Sequence, residues 1–243
     1  MCMPIWGEVP MLRVENVSCG YGRLEVIRDL SLKVEGESVG LFGPNGAGKT
    51  TLINAILGLN RLRRGRILLD GREIQSEPTY AVVRSGIALV PQERELFPGM
   101  TVEENLRLGA EQIPHAADRT DETLETVFGH FPILKERVHQ TAGTMSGGQQ
   151  RMLAVGRALM ARPKLLILDE PSLGLQPSIV HVLFTILGEM KRDVAILVTE
   201  QNVRESLRMV DRGYVLENGA IVLEGSADEL AHDPEVERSY LGL

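Results

Sequence analysis

Apolar and polar residues alternate near the start of the chain, and continuous apolar runs follow. Residues 12–18 and 27–34 show the period of two that is typical of half-buried strands. Residues 38–42 and 87–90 are apolar runs without alternation, which predict strands buried on both faces. Residues 65–71 predict one more short strand that ends in an Asp-Gly turn.

Helical spacing replaces this pattern between about residues 93 and 162. The periodic segments run from Val102 to Ala110, from Asp121 to Phe131 and from Ser146 to Ala161, and proline and glycine separate them. Strands return at residues 165–168, 194–198 and 214–216, with a helical stretch over residues 177–191. Strands that alternate with helices in this way favour an α/β fold with a mostly parallel sheet covered on both faces.

The domain organisation follows from these segments. We expect an N-terminal extension over residues 1–10 and one domain over residues 11–243. Its α/β core would comprise residues 11–92 and 163–243, and residues 93–162 would form an inserted helical subdomain. The acidic ending from Ser226 to Arg238 predicts a solvated helix that closes the domain.

Composition narrows the class of protein. A hydrophobic content of 43% in 243 residues is enough for a real core, and a net charge of −7 argues against broad nucleic-acid binding. Cys2 and Cys19 are too few for a disulfide framework, which indicates a reducing compartment. The N-terminus lacks the pattern of a signal peptide, and no apolar run approaches the roughly 18–20 residues that span a bilayer. The five histidines show no metal-ligand spacing: His115, His130, His139, His181 and His232.

A phosphate-binding loop lies between the strand over residues 38–42 and a predicted helix over residues 51–57. Its sequence fits G-x-x-x-x-G-K-[ST] at every fixed position. A strand, a glycine-rich turn and a helix N-terminus present backbone N–H groups to phosphates, which Lys49 would also reach. The hydroxyl of Thr50 would bind Mg²⁺. The candidate ATP-binding residues here are Gly43, Pro44, Asn45, Gly46, Ala47, Gly48, Lys49, Thr50 and Thr51.

Two carboxylates follow the apolar run at residues 165–168. Ligands of open α/β sheets bind at the carboxyl ends of the strands, so Asp169 and Glu170 would lie near the phosphate loop. We expect Asp169 to hold Mg²⁺ and Glu170 to act as general base toward an attacking water.

A second glycine-rich helix start occurs at Ser146-Gly-Gly-Gln149. Ser146 would cap the helix, and Gly147 and Gly148 would leave its first N–H groups bare, which makes a second anion site. Two phosphate sites in one chain suggest that two subunits face each other and complete each other's pockets.

With these motifs in this order, the chain resembles the ATP-binding subunits of ABC transporters over nearly its whole length. The resemblance implies an ATPase that uses ATP and Mg²⁺ and a P-loop NTPase core with an inserted helical subdomain. It implies that Tyr21 stacks on adenine, and that Gln92 contacts Mg²⁺ and the attacking water. It further implies that the signature formed by Ser146, Gly147, Gly148 and Gln149 binds the ATP of the opposite subunit.

Several segments are similar to one branch of that family, the LivF-type subunits of branched-chain amino-acid importers. They include residues 97–106, 152–160, 170–175 and 212–219 and the terminal Tyr240-Leu-Gly242. Residues 90–98 and 176–179 are instead similar to urea importer subunits, so the solute stays open between branched-chain or other hydrophobic amino acids and urea or amides. The implied partners are a second ATPase subunit, identical or different, two membrane-embedded permease subunits and, indirectly, an external solute-binding protein. The implied location is the cytoplasmic face of the inner membrane.

Three positions depart from the usual pattern of the family. Gln201 stands where a histidine usually holds the γ-phosphate, and the LivF-type branch shares this glutamine. The neutral amide of Gln201 suggests two unequal ATP sites in the dimer, with a partner subunit that supplies a histidine. Leu175 replaces an aspartate in the dimer-contact loop, and Met145 replaces a leucine before the signature.

Three other functions are alternatives to import. A soluble ABC ATPase that acts on ribosomes or DNA is disfavoured by the acidic charge and the single ATPase unit. A small-molecule kinase would have no use for Ser146-Gly-Gly-Gln149. An export role stays open, because the ATPase looks alike in both directions.

Overall fold

A computed structural model describes residues 11–238 of the chain. The predicted extension over residues 1–10 and the terminal Tyr240-Leu-Gly242 lie outside the described residues. In chain order the strands are β1 (Leu12–Tyr21), β2 (Leu24–Val34), β3 (Ser38–Phe42), β4 (Leu62–Leu69), β5 (Arg72–Glu73), β6 (Ile87–Val90), β7 (Leu165–Asp169), β8 (Ala195–Glu200), β9 (Arg212–Glu217) and β10 (Ala220–Ser226). The helices are α1 (Lys49–Ile56), α2 (Thr79–Arg84), α3 (Val102–Glu111), α4 (Pro114–Ala117), α5 (Thr120–His130), α6 (Pro132–Glu136), α7 (Gly147–Leu159), α8 (Pro177–Met190), α9 (Val203–Ser206), α10 (Ala227–Ala231) and α11 (Pro234–Val236).

The larger sheet has six strands in the order β10-β9-β3-β8-β7-β6, and all its neighbours are parallel except β9 and β10. Every residue of β3 and β7 is buried. In β7, Leu165 and Ile167 join one hydrophobic cluster, whereas Leu166 and Leu168 join another. The strand is apolar without alternation because both of its faces are covered. The prediction of an α/β fold with a mostly parallel sheet is confirmed.

The four strands β2-β1-β4-β5 form a second, antiparallel sheet. The alternation at residues 12–18 predicts a half-buried strand, but it does not show that this strand belongs to a separate sheet. Leu12, Val14 and Val17 point into the cluster that also contains Leu165 and Ile167. The antiparallel sheet therefore packs against one face of the parallel sheet, and α1 lies within the same cluster.

All regular elements between β6 and β7 are helical, apart from a bridge between Thr101 and Thr141. They include α3 and α7, which pack against each other in the cluster on the other face of β7. This agrees with the helical pattern over residues 93–162. The exact division of the domain into a core and a helical subdomain stays a prediction.

The ending differs from its sequence expectation. Residues from Ser226 onward were expected to form one helix, but Ser226 closes β10, and two short helices, α10 and α11, follow. A break at Asp233-Pro234 separates them, because Asp233 caps α11 and proline occupies its first turn. Over residues 11–238, no helix combines the length and apolar character needed to cross a membrane.

Candidate functional site

The phosphate loop connects β3 to α1 at the carboxyl edge of the parallel sheet. Gly48 precedes α1 with a φ of 115°, and an added Cβ there would lie 2.6 Å from Cδ1 of Ile27. An added Cβ at Gly43 would lie 2.2 Å from the carbonyl oxygen of Leu216. Glycine is required at both positions, by backbone conformation and by close approach. No side chain caps α1, so its first N–H groups are free of side-chain acceptors.

The ammonium group of Lys49 lies buried at the centre of the site. It donates to the carbonyl oxygens of Gly43 at 2.7 Å and Pro44 at 3.1 Å, and it lies 3.0 Å from Oε1 of Glu170. Lys49 and Glu170 are 3% and 7% exposed. The loop cation and the carboxylate predicted as general base therefore form a buried ion pair, about 120 residues apart in sequence.

Asp169, the last residue of β7, connects the helix start to the neighbouring strand. Its Oδ2 accepts a hydrogen bond from Oγ1 of Thr50 at 2.8 Å, and its Oδ1 accepts one from Oγ1 of Thr199 at 2.6 Å. A hydroxyl, a carboxylate and the nearby amide of Gln92 are the oxygen donors that Mg²⁺ prefers. The contact between Thr50 and Asp169 brings two of them together, so the residues present fit a magnesium ion that also binds phosphate oxygens.

Glu170 begins the turn after β7 with a φ of 45°, in the left-handed region. Its N–H donates to the carbonyl oxygen of Thr199 at 3.0 Å, and its own carbonyl accepts from the N–H of Leu173 at 3.1 Å. A left-handed glutamate is unfavourable and persists only where its surroundings fix it. The turn places the carboxylate against Lys49 rather than in solvent.

A cleft of about 520 Å³ opens above these groups. Its polar wall includes Lys49, Thr50, Gln92 and Glu170, and it also contains Asn45, Gly46, Gly48 and Thr51. Tyr21, Leu24 and Val26 form its apolar wall, and Tyr21 is 51% exposed. The structure therefore brings Tyr21, most of the phosphate loop, Gln92 and Glu170 to one cleft. The predicted site residues Gly43, Pro44, Ala47 and Asp169 do not line it, and Ala47 is buried.

Gln201 and the signature residues do not line this cleft. Gln201 is exposed and directly follows β8. Ser146 caps α7 in a capping box: its Oγ accepts from the N–H of Gln149 at 3.4 Å, while Oε1 of Gln149 accepts from the N–H of Ser146 at 3.0 Å. The N–H of Gln149 is therefore occupied within the chain, which leaves the first N–H groups of Gly147 and Gly148 for an external anion.

Sequence reasoning missed Thr199 and Glu200, which end β8 beside β7. Glu200 is 2% exposed, and burial raises its pKa to about 7. The two hydrogen bonds from Ser172 oppose that rise in the pKa, and the charge of Glu170 adds to it. The apolar run before Thr199-Glu200 matches the run before Asp169-Glu170, and this shared pattern of an apolar strand with a polar ending is the signal that could have indicated them.

Arg151 of α7 connects the signature helix to Gln92. Its guanidinium is 2% exposed and donates to the carbonyl oxygens of Pro91 at 3.0 Å and Gln92 at 2.8 Å. Desolvation lowers the pKa of Arg151, and the positive charge of Arg94 lowers it further. The arginine thus fixes the backbone from which the Gln92 side chain enters the cleft.

Comparison with known proteins agrees with this geometry. Residues 27–173 match the ABC transporter family. The chain is 44% identical over 236 residues to the high-affinity branched-chain amino acid transport ATP-binding protein BraG of Pseudomonas aeruginosa, an alignment covering 96% of this chain and 100% of that protein. It is 35% identical over 238 residues to the probable branched-chain amino acid transport ATP-binding protein LivF of Archaeoglobus fulgidus, covering 96% and 99%.

An export protein is also similar. The lipopolysaccharide export system ATP-binding protein LptB of Acidithiobacillus ferridurans is 35% identical over 235 residues, covering 96% of this chain and 97% of that protein. Among solved structures, the ADP conformation of an ATP-binding cassette of an ABC transporter superposes with a TM-score of 0.82 at 30% identity, covering 97% and 100%. The resemblance inferred from the motifs is confirmed, and the chain belongs to the ABC transporter family as a nucleotide-binding ATPase subunit.

Proposed function

We propose that this chain powers an importer of branched-chain or other hydrophobic amino acids. The similarity to BraG over 96% of this chain and all of that protein carries this proposal. The motif segments that are similar to LivF-type subunits agree with it. The protein would lie at the cytoplasmic face of the membrane and would pass dimer closure to two permease subunits, which receive solute from an external binding protein.

In the cleft, the phosphate loop and Lys49 would bind the triphosphate of ATP, and Tyr21 would stack on adenine. Thr50, Asp169 and Gln92 would hold Mg²⁺, which neutralises charge on the phosphate oxygens. Glu170 would accept a proton from the attacking water, because its carboxylate lines the cleft beside Lys49. Gln201, which is exposed after β8 and does not line the cleft, would reach the γ-phosphate from outside it as a neutral hydrogen-bonding group.

The signature Ser146, Gly147, Gly148 and Gln149 would complete the ATP site of a facing subunit. Its separation from the cleft of the same chain supports this arrangement. We further propose that the facing subunit is a sibling ATPase with a histidine in place of Gln201, which would make the two ATP sites unequal. A purified homodimer of this chain that hydrolyses ATP as fast as the mixed pair would contradict that proposal.

Export is the second candidate, and the similarity to LptB favours it. Import of urea or amides is a variant of the first, favoured by residues 90–98 and 176–179. The ATPase chemistry is the same in all three cases, so only transport measurements separate them.

The test replaces the chromosomal gene with the Glu170→Gln variant and measures uptake of radiolabelled leucine and of radiolabelled urea. Loss of leucine uptake supports the proposal, and loss of urea uptake alone supports the urea variant. Unchanged uptake of both, together with a defect in lipopolysaccharide export, would replace import by export. Glu111→Ala, at an exposed position on α3, is the matched control.

A further inference from the structure

Glu200 makes contacts that the proposed chemistry does not use. It ends β8 and is 2% exposed. Its Oε1 accepts a hydrogen bond from the N–H of Ser172 at 2.8 Å, and its Oε2 accepts one from Oγ of Ser172 at 2.8 Å. A buried carboxylate with both oxygens bonded to one residue holds that residue in a single position and orientation.

The main chain of Glu200 makes a contact on the other side. Its carbonyl oxygen accepts from the N–H of Gly43, the first residue of the phosphate loop, at 3.3 Å. One residue therefore bonds to the phosphate loop through its backbone and to the turn after β7 through its side chain.

We infer that Glu200 is a positioning residue for ATP hydrolysis: it holds the turn over residues 170–173 against the phosphate loop and thereby fixes Glu170. This inference rests on the proposed role of Glu170 as general base. It adds a residue that does not line the cleft and acts through Ser172.

The backbone of Glu170 explains why such a residue is needed. A φ of 45° is unfavourable for glutamate, so the turn would relax unless neighbouring contacts held it. Thr199 bonds to the N–H of Glu170, at the start of the turn. Glu200 bonds to Ser172, two residues further on, so the end of β8 fixes the turn at two points.

The contact with Ser172 survives a change in the protonation of Glu200. The ionised carboxylate accepts both hydrogen bonds. The protonated group accepts from the N–H of Ser172 with one oxygen and donates to Oγ of Ser172 with the other. Glutamine can make the same two bonds with its carbonyl oxygen and its amide group, whereas alanine can make neither.

The test measures steady-state ATP hydrolysis by the purified full-length chain with Mg²⁺ and ATP. Glu200→Ala should lower kcat about tenfold or more and leave KM within about twofold, because a misplaced catalytic group affects the reaction rather than binding. Glu200→Gln should restore kcat to within about threefold of the wild type, because it keeps both bonds to Ser172. Glu111→Ala is the matched control for loss of a carboxylate.

A double-mutant cycle tests the path through Ser172. Ser172→Ala should lower kcat on its own and should have no further effect in the Glu200→Ala background, because the two residues act through one contact. A wild-type kcat in Glu200→Ala, a change in KM alone, or a Glu200→Gln variant as slow as Glu200→Ala would overturn the inference.

Folding and the base assignment are separated by further variants. If Glu200→Ala does not fold, as judged by thermal unfolding, Ser172→Ala and Ser172→Thr decide, since only the latter keeps the hydroxyl and should keep kcat. A Glu170→Gln variant that stays active shows that the base assignment is wrong. An inactive Glu170→Gln beside a fully active Glu200→Ala leaves the base assignment intact and shows that the role of Glu200 is wrong.

Discussion

Two helices of this protein begin with glycine-rich segments, and they are built differently. Gly48 precedes α1 in a left-handed conformation with no side-chain cap, and the next residue, Lys49, is buried against Glu170. α7 begins after Ser146, whose side chain forms a capping box with Gln149. At the N-terminus of α1, the cation Lys49 and the carboxylate of Glu170 contact each other within one chain. The capping box of α7 consists of Ser146 and Gln149 and contains no charged group.

This difference concerns the charged groups that contact the two helix N-termini. Under the proposed function, the cation and the carboxylate at the start of α1 bind and hydrolyse the nucleotide. The start of α7 is stable without a ligand, because its capping box satisfies part of the helix end. The guanidinium of Arg94 lies beside Gly147, but the capping box contains no carboxylate, which agrees with the proposal that a facing subunit supplies the groups for hydrolysis.

ATP turnover at the α1 site should change more than any other property. Glu170→Gln should lower kcat about 1000-fold while ATP still binds, because the loop and Lys49 are unchanged and the proton acceptor is lost. ATP hydrolysis and the binding of a fluorescent ATP analogue are measured on the same sample. Near-normal hydrolysis would refute the assignment of Glu170 as base.

Removal of the buried cation, Lys49, should have the second largest effect. Lys49→Ala leaves Glu170 buried without its partner, so we expect the free energy of unfolding to fall by about 3 kcal/mol and ATP binding to be lost. Urea unfolding measures the first effect. Adding Glu170→Gln to Lys49→Ala should recover part of the stability, and a double variant less stable than Lys49→Ala would argue against an unpaired charge as the cause.

A smaller effect is expected in the pH dependence of the free energy of unfolding, to which Glu200 contributes. The pKa of Glu200 is raised to about 7 in the folded protein, so the folded state binds the proton more tightly than the unfolded state. The stabilisation that protonated Glu200 contributes to the fold is present at low pH and is lost as the pH rises through about 7. From about pH 5.5 to about pH 8, the free energy of unfolding should fall by about 2 kcal/mol relative to Glu200→Gln, which urea unfolding at each pH measures.

The smallest effect should fall on α7. Ser146→Ala removes the cap and should cost about 1 kcal/mol of stability. Ser226→Ala is the matched control, because Ser226 forms an equivalent capping box with Glu229 at the start of α10. Both variants should lose similar stability in urea unfolding, but only Ser146→Ala should also lower ATP turnover.

Mixing two defective variants tests whether the signature at α7 serves a facing subunit. If the signature serves a facing subunit in a homodimer, mixing inactive Glu170→Gln with Ser146→Ala creates dimers in which one ATP site has neither defect. Recovery of hydrolysis on mixing would support the facing arrangement. No recovery, from variants that still dimerise, would place the signature's function within its own chain.

The sequence predicts the α1 side of this comparison well. The phosphate loop is one continuous segment whose residue types dictate the turn, and the apolar runs of β3 and β7 indicate where it lies in the sheet. The pairing of Thr50 with Asp169 follows from the rule that strand ends meet at one edge. Local chemistry and one topological rule are enough for these contacts.

The contacts of β8 could not be predicted in this way. Glu200 is charged and follows Thr199 at the end of an apolar run, a pattern that is typical of a solvated turn. Only the folded chain brings it to Ser172, which lies 28 positions earlier in the sequence. The separate antiparallel sheet was likewise missed, because alternation reports burial on one face and not the partner strand. The single helix expected after Ser226 was wrong, because Asp233-Pro234 interrupts it.

Arg151 joins α7 to the segment that carries Gln92. Its planar fork holds two successive carbonyl groups, at Pro91 and Gln92, from a position one turn into α7. A lysine ammonium can also donate to two successive carbonyl groups, as that of Lys49 does, but it lacks the rigid plane that fixes the direction of both bonds. Because these two hydrogen bonds join the helix start to the Pro91–Gln92 segment, a rotation of α7 that preserved them would also move the Gln92 amide relative to the phosphate loop.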